Sequence, residues 1–320
     1  MQKTVKFEKK FRMTLGCVWR NLSMHRNRRF LGPALACLVM TTAAWARDIA
    51  PIVTSDWLAK KLGDARLVIV DIRSAEQYKK GHIPGAVSAP LSLWSVASNG
   101  LNMELPSDNE IAARLARIGL AGDTSKSIII VNRVETDFAR ADATRVAWTF
   151  MVAGLKDVGV LDGGYTRWVK ENHPVSTDAS IPTSVTYRGE MNKTSRASKS
   201  YVLKHIGKSI ILDARIPEDF FGITAKPGHI KSALNLPTPW VFAADGRFKE
   251  EPELRAMAVG VLGKDMSKEI LVYCGVGGYA STWWFILTQI LGYRNVKVYD
   301  GSMEEWILDP DAPVATYSWN

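Results

Sequence analysis

The feature that most limits how this chain can fold is that its plan is written twice. Asp71-Ile72-Arg73 closes one apolar run and Asp213-Ala214-Arg215 closes another. Gly81-His82-Ile83, followed by Ala86, returns as Gly228-His229-Ile230, followed by Ala233. The apolar run at 127–131 returns at 269–273. Asp162-Gly163 returns as Asp300-Gly301, with Trp168 and Trp306 at the same distance behind. Pro174-Val175 and Pro313-Val314 close the two blocks. Ordered matches of this length mark a duplicated architecture. At about 100–200 residues per domain, the 320 residues leave room for two copies.

Within each copy, short apolar stretches alternate with helical ones. Residues 67–70, 128–131, 158–161, 210–212, 270–272 and 296–299 lack the polar alternation of a half-exposed strand. Runs apolar on both faces fit parallel strands covered by helices on either side. Residues 139–153 and 280–291 read as helices. The expected fold class is α/β, with two domains, each a parallel sheet sandwiched by helices. The first domain is read at 47–176 and the second at 201–320. Between them, 177–200 is rich in Ser and Thr and reads as a linker, with a short strand at 185–188.

Charge separates the N-terminus from the rest. Residues 1–46 hold nine Lys and Arg against Glu8 alone, which leaves 32 of the 41 basic groups facing 31 of the 32 acidic ones. All but one unit of the net +9 therefore belongs to the leader, and no nucleic-acid partner is expected of a body this nearly neutral. After Arg28-Arg29, an apolar run at 30–46 ends in Ala44-Trp45-Ala46. A basic start, a short apolar stretch and a small-residue cut describe a secretory signal peptide, cleaved after Ala46. Met13 and Met24 are alternative starts. The run is short for a retained span of about 20 residues, so no stable membrane span is expected after cleavage. The expected location is the periplasm. Cleavage removes Cys17 and Cys37 and leaves Cys274 as the only thiol. That excludes an internal disulfide, a cysteine-only zinc site and a paired redox couple.

Cys274 sits in an informative place. A buried strand runs into it, and Gly275, Val276, Gly277, Gly278 and Tyr279 follow before a helix starts near Ala280. Glycines let the backbone curl tightly. A curl of this kind aims successive N–H groups into an anion-binding nest, and the helix start adds unsatisfied N–H groups and positive potential. Together these would hold Cys274 as a thiolate and would equally hold a persulfide anion. The bland alternative is an inert buried cysteine, which this context argues against.

With the cysteine loop and the paired blocks, the chain resembles the tandem-domain rhodaneses, a family of sulfurtransferases, over residues 47–320. The resemblance implies that Cys274 in the second domain is the catalytic nucleophile. The first domain carries Asn132 where the cysteine would be, so it is expected to be catalytically silent. It further implies a two-step reaction through a Cys274 persulfide, from a small sulfur-containing donor (thiosulfate, mercaptopyruvate or polysulfide) to a thiophilic acceptor (cyanide, sulfite or a thiol). Gly275, Val276, Gly277, Gly278 and Tyr279 would bind the substrate. The loop matches neither family pattern fully. Thiosulfate-type loops resemble Cys-Arg-x-Gly-x-Thr, but no cation falls between Cys274 and Thr282 here. Mercaptopyruvate-type loops resemble Cys-Gly-Ser-Gly-Val-Thr and pair with two donor-clamping arginines. Arg215 matches the first, and Asp219 stands at the second. Tyr279 leaves a bulky, less charged pocket suited to a persulfide or polysulfide donor.

His82 and His229 recur in both copies and read as structural hydrogen-bonding residues. Asp71, Asp213, Asp162 and Asp300 read as turn caps at strand ends. Trp283 and Trp284 read as core, and Trp240 as a wall of the cleft. No nucleotide loop or metal-ligand cluster appears, so neither cofactor nor metal is expected. The competing function is a rhodanese-like sulfur carrier, sensor or partner-binding protein without turnover. A cysteine phosphatase needs Cys-x5-Arg, and Ala280 occupies that sixth position. Nothing in the sequence sets an oligomeric state.

Overall fold

The computed structural model describes residues 47–122, 125–224 and 228–317. The leader and cleavage site expected at 1–46 lie outside the described residues. The duplication appears as two five-stranded sheets in which every pairing is parallel. The first contains β1 (Ile52–Val53), β2 (Leu67–Asp71), β3 (Val87–Ser88), β4 (Ser127–Val131) and β5 (Val158–Leu161), in the order β1-β5-β4-β2-β3. The second contains β6 (Arg196–Ala197), β7 (Ile210–Asp213), β8 (Leu234–Asn235), β9 (Ile270–Tyr273) and β10 (Val296–Tyr299), in the order β6-β10-β9-β7-β8. Strand for strand, the two orders are the same.

Alternate residues of each central strand feed different cores, which is why the strands show no polar alternation. Ile128 and Ile130 face a large central core, while Ile129 and Val131 face an outer one. In β9, Ile270 and Val272 face the same central core, while Leu271 and Tyr273 face the outer core of the second half. The central core is thus shared by both halves. At its middle, helix α1 (Asp137–Val152) packs against helix α2 (Gly278–Phe285). Trp148, Phe150, Trp283 and Phe285 are fully buried there. The Thr144 and Thr282 hydroxyls meet at 2.7 Å across the contact.

Both helices begin earlier than their apolar periodicity suggests. The Thr136 hydroxyl caps α1 by accepting from Ala139 N–H, and α2 starts on the glycines of the cysteine loop. Beyond α2, residues Ile286–Ile290 widen into a π-helical turn.

The tract read as linker delivers β6 at its end. The strand expected at 185–188 does not form. Val185 N–H and Arg188 N–H donate to Ala116 and Ala121 carbonyls at 3.0 and 2.7 Å. Those acceptors lie in a helix and a loop, so no strand edge is offered to pair with. No helix among the described residues is long and apolar enough to cross a membrane.

Candidate active site

Cys274 follows the last residue of β9 and is 1% exposed. Its loop is bolted to the turn after β10. Cys274 N–H donates to Ser302 Oγ at 3.1 Å, and Ser302 Oγ donates to the Tyr299 carbonyl at 2.9 Å. The carbonyls of Cys274 and Gly275 accept from Met303 N–H and Glu304 N–H, both at 3.0 Å. The loop's first carbonyls are thus taken. Its N–H groups are not: among the described residues, none at 275–279 has a protein acceptor. Gly277 has φ +83°, the left-handed turn that sends the chain into α2. Consecutive free N–H groups ending at a helix start make a site for an anion beside the sulfur.

Gly277 is also required for space. A Cβ there would lie 2.5 Å from Asp300 Oδ1 and 3.2 Å from Arg145 Nη1. Arg145 comes from α1 of the first half and its side chain is fully buried. It pairs with the Asp300 carboxylate, donates to the Met103 carbonyl, and donates from Nε to Ser95 Oγ at 2.9 Å. The first half therefore supports the cysteine loop from behind.

Asp300 and Asp162 do more than cap local turns. Asp300 Oδ2 accepts from Leu105 N–H at 2.8 Å, and Asp162 Oδ1 accepts from Phe248 N–H at 2.9 Å. Each aspartate ties its own half to the other. Asp71 and Asp213 do act locally, accepting from the backbone N–H two residues on.

Tyr279 is half-buried, with its ring 5.3 Å from that of Phe138 in the first half. Its carbonyl accepts from the Thr238 hydroxyl at 3.0 Å. Burial pushes the phenol up to about 12, and negative charge on Asp137 and Cys274 adds to this. The phenol thus stays a neutral O–H donor at the loop's end. Trp240 is 53% exposed, one turn from Thr238. Trp283 and Trp284 are core residues.

Arg215, expected to clamp the donor, is held mainly by groups of its own half. It is 2% exposed. Nε and Nη2 grip the Asp213 carboxylate at 2.6–3.1 Å, and Nη2 also donates to the Gly228 carbonyl at 2.6 Å. Arg73 makes the same contacts with Asp71 and the Gly81 carbonyl in the half that has no cysteine. A contact set present in both halves braces the strand end against the glycine-histidine turn. Arg215 Nη1 alone lacks a partner. Both histidines belong to the same turn. His82 bonds the carbonyls of Tyr78 and Asp178 and stacks on Tyr78, while His229 bonds the Phe220 carbonyl and stacks on Phe220.

Asn132, the counterpart of Cys274, is 3% exposed and donates to the carbonyls of Ala139 and Arg140. It ties its loop down as a hydrogen-bonding residue.

Three carboxyls near the junction of the halves are pushed up chiefly by burial: Glu104 to about 8, Asp142 to about 7 and Asp162 to about 6. Negative charge on Asp300 adds to the shift of Glu104. The folded chain therefore keeps these protons to a higher pH than the unfolded chain, so unfolding releases them and stability falls as pH climbs from about 5 to about 8. The melting temperature is expected to be lower at pH 8 than at pH 5.5 by about 5 °C or more. Glu104→Gln should remove much of that difference in a pH series of thermal melts.

The rhodanese-like domain family matches this chain twice, at residues 54–171 and 198–309. The chain is 33% identical over 278 residues to a Thermus thermophilus protein named sulfur carrier protein TtuD, covering 80% of this chain and 93% of that one. A Mycolicibacterium smegmatis relative, provisionally named a thiosulfate sulfurtransferase, is 31% identical, covering 82% and 96%. Among solved structures, Escherichia coli SseA, described with the 3-mercaptopyruvate sulfotransferases, superposes with TM-score 0.68 at 28% identity, covering 79% of this chain and 99% of that one. The anaerobic ergothioneine biosynthesis enzyme of Chlorobium limicola shares the fold with TM-score 0.72 at 21% identity, covering 84% and 70%. With the family matched in both halves and the strand order repeated, the chain belongs to the rhodanese family of sulfurtransferases, as a member with two rhodanese-like domains in tandem.

Proposed function

We propose that this protein moves a sulfane sulfur from a small donor to a thiophilic acceptor through a persulfide on Cys274. The observation that carries this reading is the row of unpaired N–H groups at 275–279, directly behind a buried cysteine at a strand end. In the first step the Cys274 thiolate attacks the outer sulfur of the donor. A Cys274–sulfur bond forms, and the donor's own bond to that sulfur breaks. Its electron pair leaves with the remainder, sulfite in the case of thiosulfate. In the second step the acceptor attacks the outer sulfur, and the pair of the broken S–S bond returns Cys274 to thiolate. The loop N–H groups hold the negative charge in both states.

What surrounds the sulfur supports a choice of donor class. No Lys or Arg lies in the loop, and Arg215 spends Nε and Nη2 on Asp213 and the Gly228 carbonyl, leaving only Nη1. Tyr279 supplies a neutral donor and an aromatic wall. This favours an organic persulfide or polysulfide, with one negative charge or none, over the dianion thiosulfate. A second reading, a sulfur carrier without turnover, is favoured by the name of the Thermus relative. We also propose that the protein works in the periplasm after cleavage behind Ala46. Recovery of a chain beginning at Arg47 from the native cell envelope carries that proposal, and an intact leader sinks it.

Intact-protein mass spectrometry tests the sulfur chemistry. The wild type is expected to gain one sulfur atom from polysulfide, and less readily from thiosulfate or mercaptopyruvate. The gain should vanish with cyanide and be absent in Cys274→Ser. Repeated loading and discharge would mark a transferase. One loading, discharged only by a protein partner, would mark the carrier. A folded, reduced chain that gains no sulfur from any donor excludes both.

A further inference from the structure

The first half has a polar cleft where the second has its cysteine. Cavities of 340 and 660 Å³ share the side chains of Leu91, Ser92, Arg133 and Asp142. The larger lies at the ends of β2 and β4, lined by Arg73 and Asn132. That is where parallel sheets bind ligands, and the size is that of a small-molecule site. Asn132 removes any nucleophile from this position.

Asp142, on α1, is the group that asks for an occupant. It is 8% exposed, lines both cavities, and makes no hydrogen bond or ion pair among the described residues. Its carboxyl oxygens open onto the cavity and take no donor from the described residues, so water or an occupant must supply one. Arg133 also lines both cavities, is exposed, and has no ion-pair partner of its own among the described residues. It lies near enough to lower the Asp142 carboxyl while burial raises it. Glu76 adds a second carboxylate to the larger cavity, and the other cation there, Arg73, is neutralised by Asp71. A simple anion would meet two carboxylates, and a simple cation would meet Arg133. A molecule carrying both charges close together meets neither conflict.

We propose that this cleft binds a small zwitterion of the α-amino-acid class, with its ammonium on Asp142 and its carboxylate on Arg133. The smaller cavity backs onto the sulfur loop. Phe138 and Met103, two of its walls, lie 3.0 and 3.6 Å from where a side chain at Gly278 would begin. The occupant would therefore sit one side chain away from the Cys274 loop. Binding itself needs no thiol.

Saturation-transfer NMR on the full chain carrying Cys274→Ser, with an equimolar mixture of the twenty common L-amino acids, tests this without reading sulfur transfer. At least one amino acid is expected to bind. Its methyl ester, lacking the carboxylate, and its N-acetyl derivative, lacking the ammonium, should each bind about ten-fold more weakly or worse. In Asp142→Asn, discrimination between the free amino acid and its N-acetyl form should collapse, and in Arg133→Gln that between the free amino acid and its ester. Absence of transfer to every amino acid overturns the proposal, as does binding indifferent to both derivatives. Should either variant fail to fold, the two derivatives decide the matter on the parent protein.

Discussion

Gly277→Ala is expected to slow loading of sulfur onto Cys274 by about a hundred-fold or more, with the nucleophile itself untouched. Two costs combine at this position. The backbone there is left-handed, which an L side chain rarely adopts. The new methyl would also start 2.5 Å from Asp300 Oδ1 and 2.9 Å from the Asp300 carbonyl, neither of which can give way, because Asp300 is held by Arg145 and by Leu105 N–H. The loop must move, and its N–H groups turn away from the sulfur. Single-turnover mass spectrometry with polysulfide reads the loss. Gly260→Ala, in a helix with open space around it, is the control and should load at the wild-type rate. Full-rate loading by Gly277→Ala would mean that the loop's curl is not what holds the persulfide charge.

Arg145→Met should cost about 3–5 kcal/mol of stability, because it strands a largely buried carboxylate rather than removing a matched pair. The Arg145 side chain is fully buried, and that of Asp300 is 15% exposed. The Met103 carbonyl and Ser95 hydroxyl lose the same donor. Arg145→Lys should recover only a small part, since one ammonium cannot reproduce a planar fork that spans three partners. Urea titrations give the magnitude. Adding Asp300→Asn to Arg145→Met should destabilise by less than the sum of the two single changes. An additive pair would show that the two groups do not depend on each other.

Much of this was readable in the chain. The six long strands follow from apolar runs whose alternate residues feed different cores, as Ile128 to Val131 show. The cysteine loop follows from glycines placed between a strand and a helix. What escaped depends on contacts made far along the chain. Arg145 and Asp300 are separated by 155 residues, and an aspartate at a strand end reads locally as a turn cap whatever else it holds. The signal was present: Arg145 opens directly into the largely apolar stretch 146–153, and an arginine buried there has to find an acceptor. Arg215 shows the opposite case: its fork braces a strand end, and only Nη1 is left without a protein partner. A motif arginine suggests a ligand, yet the same Asp-x-Arg in the half without a cysteine already pointed to a brace. Asp142 carries no local pattern at all, and only the folding of α1 over the end of β4 reveals it.

The central core joins the two copies through α1 and α2, with no solvent layer between Trp148 and Trp283 and the sheets they cover. The duplication has therefore ended in mutual dependence. A copy released by cutting the tract between the halves would bare the inner face of its sheet and lose autonomy. Heat should melt the pair in one cooperative step. The half without a cysteine then supplies the interior against which its partner packs. Its sequence is free to drift around Asn132 only as far as the common interior permits.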